Sequence, residues 1–207
     1  MLVVRSDCRY NLHMDVAPVI LSGDRVSLEP MQKDHIPALC EIGLKRELWK
    51  WTLTDVCDVK AMEAYVQNAL DDKAKGVSLP FVTRDNESNR IVGSTRFGNI
   101  DIPNRKTEIG WTWIAPESQR TFVNTEAKLL MLTHAFEFWK CIRVEFKTDA
   151  LNTRSRAAIA RLGAKEEGVF RNHMITECGR FRDSVYFSII ESEWEVVKNN
   201  LTAMLKR

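Results

Sequence analysis

Apolar residues along this chain recur first with the period of a strand and then with that of a helix, and the two periods alternate to the C-terminus. The segment Arg25 to Pro30, RVSLEP, alternates Val26 and Leu28 with polar neighbours, the pattern of a half-buried strand that Pro30 ends. Ile36, Leu39, Ile42 and Gly43 fall on one helical face behind Asp34 as a cap, and lead into the aromatic stretch Trp49, Lys50, Trp51. Asp58 caps a second predicted helix, whose Val59, Met62, Val66, Ala69 and Leu70 recur at three- and four-residue steps until Gly76 stops it. Two strand-like runs follow, Leu79 to Thr83 and Ile91 to Phe97, joined by the polar connection 84–90 of a hairpin. Thr107 to Ile114 alternates as a third, with Gly110 marking a bulge or a close approach and Pro116 ending it.

The pattern from Asn124 to Lys140 predicts a long helix, with Ala127, Leu130, Leu132, Ala135, Phe136 and Trp139 on a broad apolar side and Glu126 and Lys128 as good helix formers. Ile142, Val144 and Phe146 then alternate with Arg143, Glu145 and Lys147 as a strand, and Asn152 opens a helix that Gly163 ends. Two further strands are predicted around Gly168 to Met174 and Ser184 to Ile190. Ser192 and Glu195 form a capping box for a last helix carrying Trp194, Val197, Leu201 and Leu205. The predicted order is strand, two helices, three strands, helix, strand, helix, two strands and a terminal helix, a mixed α/β (α+β) class. Length and pattern predict one domain over residues 19–207 behind an N-terminal extension, 1–18.

Charge narrows the partners. Thirty basic residues against 28 acidic leave a formal charge of +2, too little to point to nucleic acid or an anionic membrane, and no run approaches the roughly 20 apolar residues of a membrane span. The opening segment lacks the apolar core of a secretory signal. Five cysteines, Cys8, Cys40, Cys57, Cys141 and Cys178, form no CxxC pair and fit a reducing compartment, so a cytoplasmic location is expected. Cys141 begins an apolar pattern and reads as a small core residue. His35, His134 and His173 lack metal-ligand spacing, and no metal is expected.

Chemistry enters at the strand-loop-helix connection. Such a turn gathers free backbone N–H groups and the positive end of a helix dipole at one point, which suits a phosphate. Here it is Pro116 to Thr125, without the glycine spacing of a nucleotide-binding loop. Trp51 and Asp55 form a second candidate cluster, in which a carboxylate attracts an ammonium and a ring stacks on it, whereas Trp49 reads as core.

At these residues the chain resembles the RimJ/RimL-like acetyltransferases of the GNAT superfamily. The resemblance rests on Glu108-Ile109-Gly110-Trp111, on Trp113-Ile114 with Pro116, on Gln119, and on Asn124-Thr125-Glu126-Ala127-Lys128-Leu129-Leu130. It continues through Asp149-Ala150, Asn152, Ser155, Ala158-Ile159, Leu162-Gly163-Ala164, Glu167-Gly168 and Glu193-Trp194, covering the chain from about Ile20 to the last helix. It implies the GNAT fold, a mostly antiparallel sheet split by two diverging strands and flanked by helices. It also implies transfer of acetyl from acetyl-CoA to a primary amine, a small molecule or a peptide N-terminus, by direct attack in a ternary complex, in a monomer or a homodimer.

By the same resemblance the pantetheine arm lies along Trp113 and Ile114, and the diphosphate meets the N–H groups of Gln119, Arg120, Thr121, Phe122, Val123, Asn124 and Thr125. Glu108 takes the amine proton, Ser155 protonates the departing thiolate with Tyr186 as a second acid candidate, and Asn152 hydrogen-bonds the cofactor. Each has a structural alternative: a solvent-facing carboxylate paired with Lys106 or Arg105, a first-turn serine, a core tyrosine, a helix cap. The chain departs from the family where glycines are usual, carrying Arg120, Phe122 and Asn124. Two outcomes are open: Phe122 turns outward and Arg120 supplies a charged contact, or the loop is misshapen and the chain is a non-catalytic domain of the same fold.

Overall fold

A computed structural model describes residues 14–206. Its strands form one eight-stranded sheet in the order β1-β2-β3-β4-β5-β6-β8-β7. They are β1 (Leu21–Ser22), β2 (Val26–Pro30), β3 (Leu79–Asp85), β4 (Arg90–Asp101), β5 (Lys106–Ile114), β6 (Arg143–Asp149), β7 (Lys165–Ile175) and β8 (Phe181–Ile190). The helices are α1 (Ile36–Gly43), the single turn α2 (Arg46–Trp49), α3 (Val59–Ala74), α4 (Phe122–Thr133), α5 (Thr153–Arg161) and α6 (Trp194–Leu205). Every strand pair is antiparallel except β5–β6. That parallel pair holds only from Lys106–Arg143 to Glu108–Glu145 and then parts, so the sheet splits at its middle as the resemblance implies.

Alternation along the strands gives the sheet two chemically different faces. Phe97, Ile109, Val144, Phe146, Val185 and Phe187 point to one face and join α4 and α6 in the larger apolar cluster, through Met131, Leu132, Val197 and Leu201. On the other face α1 and α3 cover only the N-terminal strands, where Leu39, Met62 and Val66 meet Val82, Ile91 and Trp113. Beyond β5 none of the described helices covers that face, which carries Glu108, Lys147, Arg182 and Tyr186 together with the exposed Phe170.

Several boundaries differ from expectation. The long helix begins at Phe122 on the cap Thr121 and passes into a π-helical turn, His134–Phe138. Asp34 lies inside a 3-10 turn instead of capping α1, while Asp58 caps α3 as read, its Oδ1 accepting from Ala61 N at 2.8 Å. Before α6 it is Glu193 that accepts from Ile190 N, at 3.1 Å, in place of the expected Ser192–Glu195 box. Part of the expected extension is packed on the domain: Met14 is fully buried and Trp139 Nε1 donates to the Asp15 carbonyl at 2.6 Å. The remainder, with Cys8, lies outside the described residues. Cys141 is a core residue, and burial pushes its thiol up to about 12.

Candidate active site

The site is built by the parting of β5 from β6. Past Glu108 the edge of β5 that faced β6 loses its strand partner, while its other edge stays bonded to β4 as far as Ile114. Within this stretch the register skips between Ser94 and Arg96, and Trp111 takes a left-handed φ of 48°. The bulge therefore sits at Trp111, one residue past the glycine expected to mark it. Gly110 serves close approach instead: a Cβ there would come within 3.0 Å of Glu108 Oε1.

Glu108 is not the solvent-facing carboxylate of its structural alternative. It is 3% exposed, and its Oε2 accepts from Asn99 Nδ2 at 2.8 Å and pairs with Lys147 Nζ at 3.2 Å. Lys106 turns instead to Asp101 and Glu145. Lys147 lies beside Tyr186 on the adjoining strand, with Nζ 5.6 Å from the ring centroid, and Tyr186 packs on Phe170 and His173. Glu108, Lys147 and Tyr186 thus share the uncovered face. Ser155 does not join them. It lies in the first turn of α5, whose Ile159 packs into the cluster on the opposite face, and Asn152 caps that helix, its Oδ1 accepting from Ser155 N at 3.0 Å.

At the mouth of the split the loop into α4 keeps an open helix start. Arg120 adopts φ 62°, the left-handed conformation that glycine usually supplies, and is exposed. Phe122 turns away from the helix end and lies under Arg25, whose guanidinium carbon is 3.9 Å from the ring centroid. The benzyl group is thus covered by Arg25 and packs against the larger apolar cluster. Thr121 Oγ1 accepts from Val123 N at 3.3 Å, and Val123, 1% exposed, faces the core. Asn124 is half-buried. Gln119 is a strut: its Nε2 donates to the Ile114 carbonyl at 2.9 Å and its Oε1 accepts from Arg154 at 2.8 Å. Arg161 donates to Thr125 Oγ1 at 3.0 Å. Arg25, Arg120, Arg154 and Arg161 so lie about the start of α4, Arg25 with the buried Glu126 carboxylate 4.0 Å from its Nε, and three of them escaped sequence reasoning because they come from segments distant in the chain.

Trp113 turns its side chain away from the split. The indole is 5% exposed, turned to the helices α1 and α3 and 5.5 Å from Trp49, so only its backbone borders the split; Ile114 is half-buried. Trp49 is core, as read, donating Nε1–H to the Gly43 carbonyl at 2.7 Å. The segment carrying Trp51 and Asp55 crosses to the β7–β8 turn: Asp55 N donates to Glu177 Oε2 at 2.7 Å, and Arg180 stacks on Trp51 with its guanidinium carbon 5.6 Å from the centroid.

Lys128 carried no functional reading. It is 4% exposed inside α4, and its Nζ donates to Thr95 Oγ1 at 2.9 Å and Thr112 Oγ1 at 2.7 Å, with no carboxylate near. Burial lowers its ammonium to about 7. No group of three or more metal-ligating side chains occurs among the described residues, and no described helix is long and apolar enough to cross a membrane.

A sheet that splits at its middle, with helices on both faces, is the architecture of the GNAT fold. The chain belongs to the acetyltransferase (GNAT) domain family, whose model matches residues 25–165, and is by that membership an N-acetyltransferase. A GCN5-related N-acetyltransferase from Brucella melitensis superposes with a TM-score of 0.84 at 28% identity, over 91% of this chain and 86% of that one. RimJ of Mycobacterium smegmatis, solved in complex with CoA-disulfide, superposes at 0.75 with 25% identity over 90% and 92%. YdaF of Bacillus subtilis strain 168, whose name provisionally makes it a ribosomal N-acetyltransferase, is 37% identical over 105 residues. That match spans 51% of this chain and 56% of YdaF, little more than half of each.

Proposed function

We propose that the domain over residues 19–207 transfers acetyl from acetyl-CoA to a primary amine by direct attack within a ternary complex. The observation that carries the reading is the split that opens at Glu108 next to the start of α4. A free strand edge offers N–H and C=O groups to an amide-bearing arm, and the first-turn N–H groups with their four arginines suit a diphosphate. RimJ, of similar fold and solved in complex with CoA-disulfide, supports a coenzyme A ligand.

In this reading the backbone N–H groups around the Trp111 bulge polarise the acetyl carbonyl as negative charge develops on it. Glu108, its Oε2 anchored by Asn99 and Lys147, takes the amine proton at Oε1, directly or through water. Trp51 and Asp55 flank the amine on the far wall. Ser155 and Asn152 sit on the α4 side of the split, where a hydroxyl reaches the departing sulfur and the free Nδ2 of Asn152 reaches the arm. Tyr186 is the alternative acid on the face of Glu108. The acceptor is a small amine or a peptide N-terminus, the latter supported by the name of YdaF. Thiol release from acetyl-CoA, followed across a panel of amines and short peptides, tests the reading. Glu108→Gln should lower kcat by about 100-fold or more, the usual contribution of a positioned base. Unchanged turnover across pH removes Glu108 from that role.

A further inference from the structure

Arg96 differs from the other buried or half-buried cations around the split. Those beyond β5 have carboxylates beside them. Lys147 takes Glu108, and Arg180 takes Asp149, with Arg182 Nε a further 4.0 Å from the same carboxylate. Arg96 is left over. It is 3% exposed, has no carboxylate partner among the described residues, and its buried Nε has no hydrogen-bond acceptor. Its guanidinium instead lies between two rings, with the carbon 5.1 Å from the Tyr65 centroid and 5.0 Å from that of Trp111. Two aromatic faces favour a cation and fix its plane, but they leave its in-plane N–H donors without acceptors. A buried unpaired donor of this kind is costly, and the planar fork it presents matches a carboxylate.

Position decides what that carboxylate belongs to. Gly98 pairs with Glu108 and Arg96 with Gly110, so Arg96 and Glu108 are diagonal neighbours on one face of the β4–β5 ladder. Such neighbours have Cα atoms roughly 7–8 Å apart, the span of one amino-acid residue once both side chains reach over it. Trp111, 41% exposed, borders the guanidinium, its ring against Gly98.

Building on the acetyl-transfer reading, we infer that the acceptor carries a carboxylate within one residue of its amine, and that Arg96 binds this carboxylate while Glu108 receives the amine. Free amino acids and peptides with an acidic first residue both present this chemistry. The test compares kcat/KM for matched pairs: each free amino acid against its amide, and peptides beginning with Asp or Glu against those beginning with Asn or Gln. The wild-type protein should favour the acid member by about tenfold to a hundredfold, as expected for a charge-assisted bidentate contact. Preference in the first set identifies a free amino acid and in the second an acidic N-terminus. In Arg96→Met the acid-to-amide ratio should fall to about one, and in Arg96→Lys to an intermediate value. The ratio is read because a purely structural loss moves both members together. A wild-type ratio near one, or a ratio unmoved by Arg96→Met, overturns the inference while acetyl transfer stands. Absence of turnover with every acceptor rejects the acetyl-transfer reading itself, and this inference with it.

Discussion

Replacing Lys128 by Met separates the cost of a buried charge from everything else that titrates in the protein. Lys128 lies in α4 with only two hydroxyls for partners, and burial lowers its ammonium from 10.5 to about 7. Above about pH 10.5 the amine is neutral whether the chain is folded or unfolded, and its burial adds no protonation penalty. As pH falls towards 7 the unfolded chain holds a proton that the folded chain has lost, so stability declines, and below pH 7 the penalty is constant. That lowering, from 10.5 to about 7, corresponds to about 5 kcal/mol over the whole window, and about 3 kcal/mol of it falls between pH 7 and 9.5. Met fills a similar volume, and Thr95 Oγ1 and Thr112 Oγ1 stay 2.7 Å apart to satisfy one another. The variant should be more stable than the wild type at pH 7 by about 1–4 kcal/mol. Urea unfolding of both proteins from pH 7 to 9.5 measures the difference and cancels the other lysines. The variant's advantage should shrink by about 3 kcal/mol across that range. A difference constant to within about 0.5 kcal/mol refutes the reasoning.

Gly110→Ala should strike the chemistry without unfolding the protein. The new Cβ lies 3.0 Å from Glu108 Oε1, and since Asn99 and Lys147 pin the other oxygen the carboxylate must turn. A fall in kcat of about tenfold with a nearly unchanged melting temperature is expected. Glu167 is held down to about 2, chiefly by its hydrogen bonds from Arg143 and then by that from Ser188. Its contribution is therefore complete above about pH 4.5 and lost as pH falls towards 2. Glu167→Gln should flatten the acid limb of the stability curve by about 1 kcal/mol, discounted because the side chain is 41% exposed.

The element order was legible because each element depends on local periodicity. The stripe of α6, Trp194, Val197 and Leu201, and the cap of α3 at Asp58 needed nothing beyond their own segments. What escaped were features set by pairing between distant strands. Lys147 meets Glu108 only because β6 runs parallel to β5, and no spacing within either segment announces that contact. Arg25 covers Phe122 through a turn nearly 100 residues away in sequence, so the surroundings of that ring are not legible within its own loop. Lys128 was read as a helix former because charged residues in a helix usually face water, and its burial follows from the parting of β5, which exposes Thr112 beside it. Alternation along β5 turns the Trp113 side chain to the helices, a burial that depends on how α1 and α3 pack on the sheet.

The central claim is that one split in the sheet holds acetyl-CoA at the start of α4 and brings an amine to Glu108. It is tested most directly by measuring acetyl-CoA binding by calorimetry, and acetyl-CoA-dependent thiol release, on the wild-type protein and on Glu108→Gln. The account predicts saturable binding of equal affinity in both proteins, with amine-dependent turnover lower in the variant by about 100-fold or more. No saturable binding up to millimolar acetyl-CoA, or equal turnover in the two proteins, contradicts it.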